Sequence, residues 1–267
     1  MLATKSNALR CRLLGTAREV TLRKAVRDEM PGSIIAVKPT KQWTHARHPY
    51  LVGDVDSVRF DVSALGLVPL ELRDRGEWDP EEEYWGEDGE PMDEWAKPII
   101  LAGKRAMFEM QRVIPGADPY DFDSDPIVEA SERNSAGDHV GARTILMNLL
   151  AQDLRRLDAH AHLGNFGFEH RPAQALHHYE MGVAIGALTL GERFEGALPW
   201  GLVDNRPFLR CLNGSGLCAW RLGDFPAARA VFERMLWLNP SDNQGARFDL
   251  AAVEAGRTWE ELEGNGR

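Results

Sequence analysis

The chain has 267 residues, a formal net charge of −10 and three cysteines, enough for two modest domains or one large one. No apolar run approaches the roughly 18–20 residues that cross a bilayer, which argues against a membrane partner, and the first twenty residues lack the apolar core of a signal peptide. Cys11, Cys211 and Cys218 are too few and too widely spaced for a disulfide framework, so a reducing, cytoplasmic setting is expected. The charge is uneven: residues 1–75 hold 13 Lys/Arg against 8 Asp/Glu, leaving the acidic excess to the remainder.

Three regions follow in chain order. Residues 1–76 read as a small β-rich domain with a leading helix around Ala17–Glu29, stopped by Met30-Pro31-Gly32. Ser33–Lys38 is short and β-branched, Tyr50–Phe60 divides into two strand-like runs, and Val68–Leu72 alternates; together they predict a small antiparallel sheet or barrel. Residues 77–124 open with Glu77–Trp95, ten acidic side chains and no basic one. Such density stays solvated, since an unpaired buried charge costs several kcal/mol, while Trp78, Tyr84, Trp85 and Trp95 are expected to pin the loop. Met107–Ile114 carries Phe108, Met110 and Ile114 on one face by period two and reads as a strand returning to the first sheet.

Residues 125–267 read as helical throughout. Asp125-Pro126 offers an N-cap followed by a proline at the first helical position. Units are expected at about 125–157, 158–187 and 206–240, with a capping helix in 241–256 (Gln244–Ala255) and an insertion at 187–207. In the last unit Leu212, Gly216 and Trp220 stand on the first helix and Leu222-Gly223-Asp224-Phe225 forms the turn. Ala228, Phe232, Met235 and Leu238 stand on the second helix, and Asn239-Pro240 ends it. In the middle unit Leu163-Gly164 is followed by Ala175 and Tyr179, across a turn about one residue short; the first has Gly137-Asp138 at its turn and Ala142, Leu146 and Leu149 on its second helix. Small residues let paired helices approach and an aromatic fills the space beside them.

In these residues the C-terminal half resembles the tetratricopeptide repeat superfamily; the N-terminal region resembles an SH3-like barrel in rhythm only. The expected fold is therefore α+β: a small N-terminal antiparallel sheet or barrel, then an all-α helical-repeat domain. In that superfamily the first helices of successive pairs line a peptide-binding groove. The resemblance implies that Asn165, Arg210, Asn213, Trp220, Arg221 and Arg247 lie on or near it, Asn holding a peptide backbone and Arg forks holding carboxylates. The Lys and Asn set of the family's carboxylate-clamp version is absent.

Other chemistry is thin. Asp158-x-His160-x-His162 resembles the metal-ligand segment of amidohydrolases, but that segment ends a strand, whereas helical neighbours two apart diverge by about 200°. Asp121, Asp123, Asp125 and Glu132 have calcium-loop spacing, with Pro126 where the loop needs glycine. His139, His170, His177 and His178 show no zinc spacing. Gly214-Ser215-Gly216 is no dinucleotide fingerprint, and Cys211 and Cys218 sit at core spacing on one helix. No cofactor is implied. In the basic front end, Lys38, Lys41, Trp43 and Arg47, near His45, His48 and Tyr50, are candidates for contacting phosphates and stacking on bases. The leading expectation is a non-catalytic scaffold for a peptide or protein partner; the alternatives are a nucleic-acid-associated factor and, remotely, a metal hydrolase using His160 and His162.

Overall fold

The computed structural model describes residues 1, 3–5, 8–23, 30–86, 92–113 and 125–264. It is α+β, and the chain divides into two compact units: Met1–Val68 with Ile114–Ala159, and Pro69–Val113 with His160–Arg267.

In the first unit five strands form one sheet: β1 (Ala3–Lys5), β2 (Ala8–Arg12), β3 (Glu19–Arg23), β4 (Ile34–His45) and β5 (His48–Arg59), in the order β1-β2-β3-β5-β4. The pairings are antiparallel except β3 with β5, which runs parallel through Thr21↔Tyr50 and Leu22↔Leu51. The helix expected at Ala17–Glu29 is corrected: Glu19–Arg23 is a strand, and residues 24–29 lie outside the described residues. Its EVTLR pattern alternates, so Val20 and Leu22 turn inward, where Leu22 meets Leu9 in a core flanked by Ile35, Val37, Leu51 and Val55. Tyr50–Phe60 is not two runs; it falls almost wholly within the 12-residue strand β5.

The β4–β5 hairpin turns at Ala46 and Arg47, both at positive φ (47° and 65°), as a two-residue hairpin turn demands. Pro39 lies on β4, an edge strand, where a missing N–H is tolerated. Opposite it, Gly53 leaves no room for a side chain, because a Cβ there would press on the backbone of Lys38 and Pro39. The unit continues with a short helix α1 (Val62–Leu65), ended by Gly66 in the left-handed region.

The second unit opens with a ribbon of β6 (Leu72–Trp78) and, after helix α2 (Lys97–Ala102), β7 (Arg105–Met110). The strand expected to return to the first sheet therefore pairs with β6 instead; Ile114 lies outside the described residues. The acidic stretch is held by its indoles: Trp78 is buried and donates to Glu83, Trp85 donates to the carbonyl of Pro80, and Trp85 and Trp95 lie 5.9 Å apart. Tyr84 is exposed.

The helices come in pairs. In the first unit α3 (Pro126–Ser135) packs on α4 (His139–Gln152), with Ala130, Ala142 and Leu146 fully buried. The second unit holds α5 (Leu157–Phe168) from His160 onward with α6 (Pro172–Leu190), and α7 (Arg206–Arg221) with α8 (Phe225–Leu238). It ends with α9 (Ala246–Glu254) and a short α10 (Trp259–Gly264). Three turns repeat one hydrogen-bond pattern. At the end of α3, the N–H groups of Ala136, Gly137 and Asp138 donate to the carbonyls of Glu132, Asn134 and Arg133. Leu222, Gly223 and Asp224 repeat this onto Cys218, Trp220 and Ala219; Ala255, Gly256 and Arg257 repeat it onto Ala251, Val253 and Ala252. Each central glycine has a positive φ near 70–90° (87°, 83°, 68°), the left-handed C-terminal stop of a helix. Asp138 and Asp224 then cap the next helix by accepting from Gly141 and Ala227. The α9–α10 turn was not foreseen.

Rings seated on glycines hold these helices together. Tyr179 of α6 lies between Gly164 of α5 and Gly214 of α7, and a Cβ on either glycine would come within 2.4 Å of its ring atoms, too close to be accommodated without a shift. Gly186 of α6 receives the ring of Phe208 of α7 and Gly216 that of Phe232 of α8, while Gly182 of α6 receives the thiol of Cys211 of α7. Ala175 and Ala228 are buried as well.

The insertion at 187–207 ties the ribbon to the helices. Ala197 bridges Met107, and Leu198 donates to the carbonyl of Leu238. Asn205, fully buried, accepts from the N–H of Met110 and donates to the carbonyls of Phe108 and Pro199. Arg105 lies between the indoles of Trp78 and Trp237, 4.6 and 4.2 Å from the ring centres, and donates to the carbonyl of Trp237. Burial lowers its pKa to about 10, still far above neutrality, so the cation–π sandwich keeps its charge.

Gly53→Ala is expected to cost about 2 kcal/mol or more, because its neighbours are backbone and cannot turn aside; a urea titration showing an unchanged midpoint would refute the close approach of β5 to β4.

Candidate functional site

α7 is the central helix of the second unit, packed against α6 and α8. Its sequence, RPFLRCLNGSGLCAWR, buries eleven residues, from Pro207 to Trp220. The remaining five are Arg206, Arg210, Asn213, Leu217 and Arg221, all half-buried. They recur at steps of four, three, four and four, which places them on one stripe. The stripe carries three arginines and no carboxylate.

At its N-terminal end, Arg206 and Arg210 lie over Trp200, 5.2 and 5.6 Å from the ring centre, and Arg206 donates to the carbonyl of Trp200. Two guanidinium groups on one indole form a cationic shelf of the kind that takes carboxylates. In the middle, the side-chain oxygen of Asn213 is buried with no hydrogen-bond partner among the described residues. At the C-terminal end, Arg221 donates to the carbonyls of Phe168 and Glu169 at the end of α5, lies 3.6 Å from the Glu169 carboxylate, and lies over the rings of Phe168 and Trp259.

The six residues expected near a groove thus divide. Arg210, Asn213 and Arg221 share the stripe. Trp220 does not: it is 1% exposed, and its indole donates to the carbonyl of Arg257, so it is core. Asn165 is exposed on α5 and accepts from the Tyr179 hydroxyl, so it also secures the ring between the two glycines. Arg247 lies on α9, near the Asp242 carboxylate (3.5 Å) and over Phe248, which is 65% exposed. Sequence reasoning missed Trp200, Arg206, Phe168 and Trp259. A signal existed for two of them: Arg206 and Arg210 are one helical turn apart, and Thr258-x-x-Glu261 is a capping box that announces α10.

The basic candidates of the first unit lie on the β4–β5 hairpin. Lys38 pairs with Asp56 at 2.7 Å, Lys41 lies over Trp43 at 5.9 Å, and Trp43 stacks on Tyr50 at 5.5 Å. Arg47 is exposed at the turn. Lys38 thus has its charge answered by a carboxylate, and one indole face is already covered. The same unit holds a cleft of about 1210 Å³ of mixed polar and apolar lining, with Val20, Leu22 and Val37 of the sheet and the segment Leu150–Leu154 among its walls.

His160 and His162 are both on α5 and diverge as helical spacing requires. His160 is fully buried with its ring 6.0 Å from His178, while His162 meets Phe166. Among the described residues no three His, Cys, Asp or Glu side chains form a metal-holding group; Asp121 and Asp123 of the calcium-like spacing lie outside the described residues. Cys211 and Cys218 are buried thiols outside any disulfide, and burial pushes the Cys218 pKa up to about 12, far from a reactive thiolate. Comparison of the chain with protein-family models, with curated proteins and with solved structures finds no match.

The stripe's two ends are expected to respond differently to truncation. Arg221→Ala removes two hydrogen bonds to the end of α5 and two ring contacts and should cost about 2 kcal/mol. Arg210→Ala should cost less than about 1 kcal/mol. Equal losses in guanidinium unfolding would show that Arg210 is as structural as Arg221.

Proposed function

We propose that this chain is a non-catalytic interaction scaffold of the tetratricopeptide kind, holding a peptide segment or partner protein along the α7 stripe. One observation carries the reading: the central helix is buried all round except for a single half-buried line of three arginines, an asparagine and a leucine. A helix packed on every side but one, with cations on that side, offers hydrogen-bond donors to an extended acidic chain. The repeated helix-stop turns and glycine-seated rings support the family reading from within the chain. Among the described residues no helix is long and apolar enough to cross a membrane. Cysteines carried as thiols at Cys11, Cys211 and Cys218 fit a reducing compartment such as the cytoplasm.

Selection of random peptides on the purified chain tests this. Peptides rich in Asp and Glu are expected, with affinity falling at least about tenfold in Arg206→Ala/Arg210→Ala, since each charge-assisted bond contributes roughly 1.5–3 kcal/mol, while the melting temperature stays nearly unchanged. Peptides without acidic bias that bind both proteins equally would refute the stripe. A salt titration of a single-stranded oligonucleotide, with a steep slope that depends on Lys41 and Arg47, would favour the nucleic-acid alternative instead.

A further inference from the structure

The C-terminal end of the stripe is already occupied. Trp259, the first residue of α10, is 5% exposed and meets Phe168 and Trp220 edge-to-face, with ring centres 5.5 and 5.4 Å apart and planes at 77° and 82°. The Arg221 guanidinium lies 5.2 Å from the centre of Phe168 and 5.7 Å from that of Trp259. Two aromatic walls and one cation therefore enclose an indole supplied by the chain's own C-terminal segment. The indole of Trp220 donates to the carbonyl of Arg257, which fixes the backbone just before it enters the slot.

The rest of α10 has the opposite character. Glu260 and Glu261 are exposed, and beyond Trp259 the helix is held at its start by a capping box: Thr258 N–H donates to the Glu261 carboxylate and Glu261 N–H to the Thr258 hydroxyl. A six-residue helix has no stability of its own, so the segment depends on its ties to the body, chief among them the Trp259 ring, the hydrogen bond to the Arg257 carbonyl and the cap. Such an element opens at a lower free energy than the body it rests on.

We propose that the slot formed by Phe168, Trp220 and Arg221 is a reading site for a tryptophan followed by acidic residues, and that Trp259 fills it in cis as a built-in competitor. The external partner is a protein segment of the same chemistry, an indole for the slot and carboxylates for the arginine stripe that begins at Arg221. This rests on the stripe reading above and names its ligand class. Because the open state is a minor one, the observed affinity for an outside segment is reduced by the fraction open; releasing the tail raises it.

The test uses the full chain and a fluorescein-labelled peptide copying residues 257–264, RTWEELEG, followed by fluorescence anisotropy. Trp259→Ala is expected to bind the peptide at least about tenfold more tightly than the unaltered chain. A peptide whose Trp is replaced by Ala should not bind, and adding Arg221→Ala should reverse the gain. Glu261→Ala loosens the cap without touching the slot and should give a smaller gain of severalfold; it decides the matter if circular dichroism shows Trp259→Ala unfolded. Equal binding by the unaltered chain and both folded variants, or binding by none, overturns the proposal. If that happens while acidic peptides still depend on Arg206 and Arg210, only the tail's role falls; if both dependences vanish, the stripe falls too.

Discussion

The second unit depends on aromatic rings seated directly on helix glycines. Tyr179 is the centre of this arrangement. Gly164 and Gly214 press on it from two different helices, and its hydroxyl is held by Asn165. A glycine inside a helix costs roughly 1 kcal/mol relative to alanine, and here that cost recurs at Gly164, Gly182, Gly186, Gly214 and Gly216. What offsets it is dense contact between helix backbones and buried rings. The arrangement also fixes rotation: with Tyr179, Cys211, Phe208 and Phe232 each seated on its glycine, α7 cannot turn about its axis without opening a void or forcing a clash. The line it leaves uncovered is thereby fixed as Arg206 to Arg221.

The helical part was readable from the sequence because its signals are local. Gly-Asp before a helix, proline at its first turn and small residues a few places from an aromatic each have one conformational meaning, and the structure places Gly164, Ala175, Gly216 and Ala228 in buried helix contacts. What escaped was non-local or overridden. The Pro-Gly stop after Glu29 points to a helix, but the segment EVTLR alternates and pairs with β2 as a strand. The strand at 105–110 pairs with β6 and not with the first sheet, since hydrophobic alternation says that a strand exists and nothing about its neighbour. Asn205 and Arg105 join segments roughly a hundred residues apart, which no local pattern reports.

The same division applies to the candidate site. Family geometry placed Arg210, Asn213 and Arg221 near a groove, and they do share a face. It also placed Trp220 there, although a tryptophan one residue from the stripe falls about 100° round the helix and enters the core. Arg221 shows how one side chain serves both ends: its hydrogen bonds brace α5 against α7, while its flat cation forms one wall of the slot that Trp259 fills. The α5–α7 contact and the slot thus share that residue, which ties the C-terminal helix, the stripe and the glycine-seated core together.

The most direct measurement of the central claim is a double-mutant cycle on Gly214→Ala and Tyr179→Leu by urea unfolding. If the ring truly occupies the glycine's side-chain space, Gly214→Ala alone destabilises by about 2–3 kcal/mol, and in the Tyr179→Leu background that loss shrinks by more than about 1 kcal/mol. A Gly214→Ala protein as stable as the original or more so, as helix propensity alone dictates, would contradict it.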